Sequence, residues 1–202
     1  STMTNNLNNF SNVTVKGSTI IAGWNNIEGT STASGPTKTI TNNTFDNITA
    51  NTTPTGAITG MTVDFCGANS SVASNTISNI TGGAAITGLV LGASNQSITA
   101  SSNVIDPITS SGASAVTAIS SNAKTATISK NKIYGIGGTN AGTTVNGILV
   151  GNTTPSSAVT VVNNLIGNLT ASIATGSNAI NGINIAATTA ATTSTIKVYY
   201  NT

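Results

Sequence analysis

One short pattern recurs along the chain: Asn, any residue, a large apolar residue, two more residues, then Ile, Leu or Val. It reads Asn8–Phe10–Val13, Asn43–Phe45–Ile48, Asn75–Ile77–Ile80, Asn103–Ile105–Ile108, Asn131–Ile133–Ile136 and Asn164–Ile166–Leu169. Tyr200-Asn201-Thr202 opens a seventh copy, and the Asn-to-Asn intervals are 35, 32, 28, 28, 33 and 37. Self-similarity at this period marks an array of structural units rather than one globular core. No single unit of that size can bury an apolar face alone, so neighbours must stack.

Two further motifs fill each repeat. The first alternates around a glycine: Ile58-Thr59-Gly60-Met61-Thr62-Val63, Ile86-Thr87-Gly88-Leu89-Val90-Leu91, Val145-Asn146-Gly147-Ile148-Leu149-Val150 and Ile180-Asn181-Gly182-Ile183-Asn184-Ile185. Val116-Thr117-Ala118-Ile119 replaces Gly by Ala, and Ile21-Ala22-Gly23-Trp24 is a degraded first copy. The second runs into each Asn with period-2 alternation, as in Thr37-Lys38-Thr39-Ile40-Thr41 and Thr125-Ala126-Thr127-Ile128-Ser129. Period 2 is the strand period, and nothing in the chain repeats with the helical period. Three short strands and three turns per repeat predict an all-β fold, a right-handed parallel β-helix of about six coils over residues 1–202.

Stacked coils would place equivalent residues in columns. One inward column is Phe45, Ile77, Ile105, Ile133 and Ile166; a second is Ile48, Ile80, Ile108, Ile136 and Leu169; a third is Ile40, Val72, Ala100, Ile128, Val161 and Val198. The recurrent Asn43, Asn75, Asn103, Asn131 and Asn164 are read as a structural ladder, amide to amide between coils, at a corner where Asn tolerates left-handed backbone. Asn47, Asn79, Pro107, Gly135 and Asn168 form a second file of turn formers. Gly60, Gly88, Gly147 and Gly182 are expected to mark a corner of positive φ.

Composition narrows function more than it defines it. The chain holds no His, and its six basic residues are all Lys. That removes Ser-His-Asp catalysis, His-based zinc sites and bidentate Arg clamps. Six scattered Lys against four acids make no basic stripe, which argues against nucleic-acid binding. Mean hydropathy is +0.17, but Asn, Thr, Ser or Gly interrupts every apolar run, so no membrane-spanning segment is expected. Asn, Thr and Ser make 90 of 202 residues, yet the abundance of Ile, Val and Thr argues for strands over disorder. Ser1 is no initiator Met and no signal-peptide pattern follows it. The chain is therefore expected to be processed, cut from something larger, or a unit that stacks end to end.

Segments such as Ser74-Asn75-Thr76-Ile77-Ser78-Asn79-Ile80, Ala85-Ile86-Thr87-Gly88-Leu89 and Ile196-Lys197-Val198-Tyr199-Tyr200-Asn201-Thr202 resemble the Asn/Thr-rich parallel β-helix repeats of very large secreted bacterial surface proteins. Those proteins commonly carry a sorting domain for type IX secretion. The resemblance implies an extracellular, cell-surface location and covers nearly the whole chain. It specifies fold far better than function.

Candidate chemistry is sparse. Asp46 and Asp106 occupy equivalent positions two coils apart, roughly 10 Å by strand spacing, which only marginally suits an inverting glycosidase pair. Both read more simply as solvated corner residues. Lys124, Lys130 and Lys132 read as solubilising charge rather than an anion site. Thr37, Thr39, Ser71, Thr99, Thr125, Thr127 and Thr160 should stack as outward files on one sheet, a Thr-x-Thr grid resembling the ice-contacting face of β-solenoid antifreeze proteins. Thr is also simply well suited to an outward strand position. Trp24, Tyr134, Tyr199 and Tyr200 fall on distant coils and make no evident sugar platform. Asn-x-Ser/Thr sequons such as Asn12, Asn47, Asn79 and Asn168 follow from composition and carry little weight. Cys66 reads as a buried or turn thiol.

These readings converge on a non-catalytic structural or adhesive rod of an extracellular cell-surface protein or filament, with no enzyme activity, metal or cofactor. Its expected partners are itself, by end-to-end coil stacking, and surface polysaccharide. The runner-up is a carbohydrate-binding or polysaccharide-degrading β-helix. A third reading is ice or mineral-surface binding through the Thr-x-Thr face.

Overall fold

The computed structural model describes residues 1–16, 19–29, 35–50, 56–151, 156–186 and 194–202. Among these residues every regular element is a β-strand and none is a helix. A representative coil consists of Ser70–Ala73, Thr76–Gly82 and Ile86–Leu91. Each of these strands pairs in parallel with its equivalents in the coils before and after. The described strands form three sheets of 7, 9 and 6 strands. Their stacking makes a parallel β-solenoid of about five turns, close to the six coils expected.

The inward columns fall where the repeat placed them. Phe45 pairs with Ile77, Ile77 with Ile105, Ile105 with Ile133 and Ile133 with Ile166. Ile40, Val72, Ala100, Ile128, Val161 and Val198 pair in the same way through the first sheet. From Ile40 to Val161 these side chains are fully buried. Each buried Ile or Val contributes about 1.5–3 kcal/mol relative to exposure, so the columns supply the main force holding the coils together.

The Asn ladder runs without a break from Asn8 to Asn201. In each step one Asn gives both its backbone N–H and its Nδ2 to Oδ1 of the next. Asn75 bonds Asn103 in this way at 3.0 and 2.9 Å, and Asn103 bonds Asn131 at 3.0 and 3.0 Å. The second Nδ2 proton goes to a backbone carbonyl of the preceding coil: Asn75 to Ile40, Asn103 to Val72, Asn131 to Ala100 and Asn164 to Ile128. Every interior ladder amide is thus fully satisfied, as a buried polar group must be.

Two sequence expectations about corners need correction. The left-handed residue is not the ladder Asn but the one before it: Leu7, Asn42, Ser74, Ser102, Lys130, Asn163 and Tyr200 all have φ between 55° and 58°. The bend turns this residue's side chain outward and swings the following Asn inward, where its amide can reach the next coil. Left-handed backbone costs a non-Gly residue about 1–2 kcal/mol, and the ladder bonds offset it. The second correction concerns Gly60, Gly88, Gly147 and Gly182, none of which has a positive φ. They sit where the third strand bends and two consecutive residues face inward, such as Gly60 and Met61. A Cβ on Gly60 would lie 2.7 Å from the carbonyl oxygen of Gly88, and one on Gly147 would lie 2.5 Å from that of Gly182. Close stacking of backbones, not left-handed geometry, selects glycine here.

The other turn file matches expectation. Asn12, Asn47, Asn79, Gly135 and Asn168 all have positive φ, at 59°, 53°, 51°, 66° and 50°. Pro107, whose ring forbids that conformation, follows a cis bond to Asp106. The second-sheet strand is continuous through Asn47 and Asn79 but splits in later coils, as at Val104–Ile105 and Ile108–Ser110.

Asn103→Ala removes a side chain with four hydrogen bonds and leaves four groups underbonded, so it should destabilise the fold by roughly 3 kcal/mol or more. Asn47→Gly, at an exposed left-handed site, should cost less than about 1 kcal/mol, both variants being measured by urea titration. Gly60→Val should lower the melting temperature clearly, whereas Gly182→Val, with nothing within 4 Å of its Cβ position, should leave it nearly unchanged.

Candidate functional site

The candidate surface-binding residues lie on the first sheet. Thr4, Thr39, Ser71, Thr99, Thr127, Thr160 and Lys197 pair in register as one outward file. Coils are about 4.8 Å apart, so the hydroxyls repeat at that spacing. The flanking file is less regular. Thr2 pairs with Thr37, and Thr125 with Ala158 and then Thr195. Between them one strand begins only at Ser70, after Asn69 turns with φ 61°, and the next only at Ile98. The structure therefore brings Thr39, Ser71, Thr99, Thr127 and Thr160 together and leaves Thr37 and Thr125 separated within their own file.

A second threonine file was not singled out from the sequence. Thr14, Thr49, Thr81 and Thr109 pair in register on the second sheet, where Gly137 and then Thr170 continue the row. Its signal was available: Thr directly follows the second apolar residue of the Asn motif in most copies.

The acids are separately engaged. Asp46 Oδ1 accepts hydrogen bonds from Ser78 Oγ and Asn79 Nδ2, each at 2.7 Å. These bonds, Asn79 foremost, hold its carboxyl below the usual range. Asp106 forms an ion pair with Lys132 at 3.8 Å. The two carboxylates share a file two coils apart, as the spacing implied, with Ser78 between them. Asp64 lies at a different corner, where its Oδ1 accepts the backbone N–H groups of Phe65 and Ser94. No group of three or more His, Cys, Asp or Glu residues suited to a metal occurs among the described residues. Lys124 and Lys130 are exposed, as expected for solubilising charge.

Lys38 is the residue whose role alternation should have revealed. It lies between outward Thr37 and Thr39, so its side chain points inward and is fully buried. Its Nζ donates to the backbone carbonyls of Asp64 at 2.6 Å and Asn26 at 3.5 Å. Burial lowers its pKa from the ordinary 10.5, with Cys66, Glu28 and Asp64 opposing that shift. Cys66, also fully buried, has its backbone N–H held by Asn95 Oδ1 at 3.0 Å. Burial pushes its thiol up. This is the buried thiol expected, and it closes a corner rather than offering a nucleophile.

The aromatic side chains are dispersed, as the spacing implied. Tyr199 and Tyr200 meet edge-on at 5.4 Å, Tyr134 stands on the second sheet, and Trp24 packs edge-on against Phe45 at 6.4 Å. Around Trp24 there is a shallow surface cavity of about 410 Å³, widely open to solvent and lined by Met3, Asn5, Asn25, Asn26, Ile27 and Glu28. No helix among the described residues is long and apolar enough to cross a membrane.

The buried lysine generates a signed pH prediction. A Lys with a lowered folded-state pKa is more readily deprotonated folded than unfolded. The unfolded chain then binds more protons between the folded value and 10.5, so stability rises with pH across that window. Wild-type protein should gain stability as pH rises toward 10.5 relative to Lys38→Met, measured by urea unfolding at a series of pH values. Parallel pH dependence of the two proteins would contradict this placement of Lys38. No family model, curated protein or solved structure matches the chain.

Proposed function

We propose that the chain is a non-catalytic structural rod segment of an extracellular cell-surface protein, a right-handed solenoid whose exposed faces are available for adhesion. The observation that carries this reading is the unbroken ladder from Asn8 to Asn201, flanked by continuous apolar columns. Each coil presents the next with the same donors, acceptors and apolar contacts, so the geometry extends along one axis. The separate engagement of Asp46, Asp64 and Asp106 supports a structural role over a hydrolytic one. The extracellular location and export by a type IX-like route rest on the resemblance of the repeats to secreted bacterial surface proteins. Right-handed sense follows from the strong preference of parallel crossovers for it.

Self-association is a second route to a filament. In the coil that carries them, Ile180, Ile185 and Val198 are 43–48% exposed, an apolar surface that a coil of a second copy or of a longer chain would cover. A flush stack must also accommodate seven strands in the first sheet against six in the third.

A surface-binding reading has one observation in its favour, the in-register hydroxyl file through Thr39, Ser71, Thr99, Thr127 and Thr160. Organised water or a polysaccharide lattice would meet that file. Thr127→Tyr should then abolish thermal hysteresis or adsorption to crystalline polysaccharide, and the absence of either activity in the wild type removes this reading.

For the rod itself, single-molecule stretching and negative-stain electron microscopy are the tests. Elongated particles with high mechanical resistance, and surface exposure to protease in intact cells of the source organism, are expected. Retention inside the cell, or turnover of a polysaccharide substrate at Asp46 and Asp106, would overturn the reading.

A further inference from the structure

Asp46 and Asp106 occupy the same outward position two coils apart, but the coil that follows each receives it differently. Asp46 Oδ1 is met by Ser78 Oγ and Asn79 Nδ2. At the two equivalent positions beside Asp106 stand Tyr134 and Gly135, an aromatic ring and a bare backbone. Among the described residues no hydrogen bond reaches the Asp106 carboxylate. Its Oδ2 is 3.8 Å from Lys132 Nζ, beyond hydrogen-bonding distance. Its Oδ1 lies against Gly135, 2.9 Å from where a Cβ would be. Both charged groups thus keep their hydrogen-bonding capacity, and both are open, with side chains 28% and 52% exposed. Tyr134 is 43% exposed. Its ring leans along the sheet over Gly167, where a Cβ would lie 3.1 Å from Cδ2 and Cε2. An aromatic ring over a strand glycine protects that strand, but this does not account for an acid stripped of the donors its counterpart has.

We propose that Tyr134, Asp106 and Lys132 form a subsite for one pyranose unit of a neutral polysaccharide. The apolar C–H face of the sugar packs on the exposed ring. One sugar hydroxyl donates to Asp106 Oδ1, and a neighbouring sugar oxygen accepts from Lys132 Nζ. Carboxylate and ammonium side by side carry no net charge, which selects against an anionic glycan and against an ammonium ligand. The patch is open and covers one face of one ring, so a free monosaccharide gains little from it. A chain gains more, because each of its units can engage the subsite in turn. The residues come from two inner coils, each with a described coil on either side. The proposal names a ligand for the adhesive faces of the solenoid and rests on the adhesion reading in that respect alone.

The 202-residue chain would be titrated by calorimetry with neutral hexasaccharides of glucose, xylose, mannose and galactose. Hexagalacturonic acid and tetramethylammonium serve as charged probes. At least one neutral hexasaccharide should bind with a Kd on the order of 1 mM, more tightly than its free monosaccharide. Position is read from the ring signals of tyrosine-labelled protein, which has only three tyrosines. The Tyr134 signal should shift and those of Tyr199 and Tyr200 should not. Tyr134→Leu, Asp106→Ala and Lys132→Gln should each weaken binding about fivefold or more, whereas Lys124→Ala, at another corner, should leave it unchanged. Tyr134→Leu uncovers Gly167 and can disturb the sheet; Asp106→Ala and Lys132→Gln change only open side chains and decide the matter if it does. No binding of any neutral hexasaccharide, unchanged binding in both of these charge variants, or tighter binding of either charged probe would overturn the proposal. Elongated particles in the same preparation would then leave the rod reading standing, so the two readings fail separately.

Discussion

The structure depends on one repeated interaction, the carboxamide of an inward Asn held between its counterparts in adjacent coils. An Asn side chain offers two donors and an acceptor oxygen with two lone pairs, and the ladder uses them all. Nδ2 of Asn103 bonds Asn131 and the Val72 carbonyl, while its Oδ1 receives the N–H and Nδ2 of Asn75. Asp could not donate, Ser could not span both neighbours, and Gln would displace the contact by a methylene. Because each amide needs the next, the ladder fixes the register of all three sheets. A one-residue slip would turn every column from core to solvent.

This constraint explains the scarcity of charge. Any residue placed on one coil tends to face its equivalent about 4.8 Å away, so repeated like charges would repel along the whole axis. The chain instead fills its outward files with Thr, Ser and Asn. Its carboxylates are spaced or paired, Asp46 against Ser78 and Asn79, Asp106 against Lys132. Lys38 is the exception within the core. It is tolerated because backbone carbonyls of Asn26 and Asp64 solvate its ammonium, which is how a buried cation avoids the full desolvation cost.

Most of the fold was legible because a repeat tests itself: Phe45, Ile77, Ile105 and Ile133 had to be equivalent, and the register makes them so. Backbone detail was less legible. Residue identity alone placed the left-handed bend on Asn75, since Asn favours that conformation, but the ladder required Asn75 to face inward and moved the bend to Ser74. Gly60 departs from its expected positive φ for a related reason. Glycine is selected both by positive φ and by close backbone approach, and only the 2.7 Å approach to Gly88 distinguishes them. The Thr39–Thr160 file was readable from period 2, whereas the Trp24 cavity was not. Its walls come from Asn5 and Asn26 on different strands, which meet only in three dimensions.

The most direct test of the central claim is hydrogen exchange of side-chain amides in protein labelled with ¹⁵N only at asparagine. The ladder predicts a small set of carboxamide resonances, from Asn43, Asn75, Asn103, Asn131 and Asn164, whose protons exchange orders of magnitude more slowly than those of exposed asparagines. Asn103→Ala should remove one such resonance and shift those of Asn75 and Asn131. Uniformly fast exchange of all carboxamide protons in the folded protein would contradict a buried, continuous ladder.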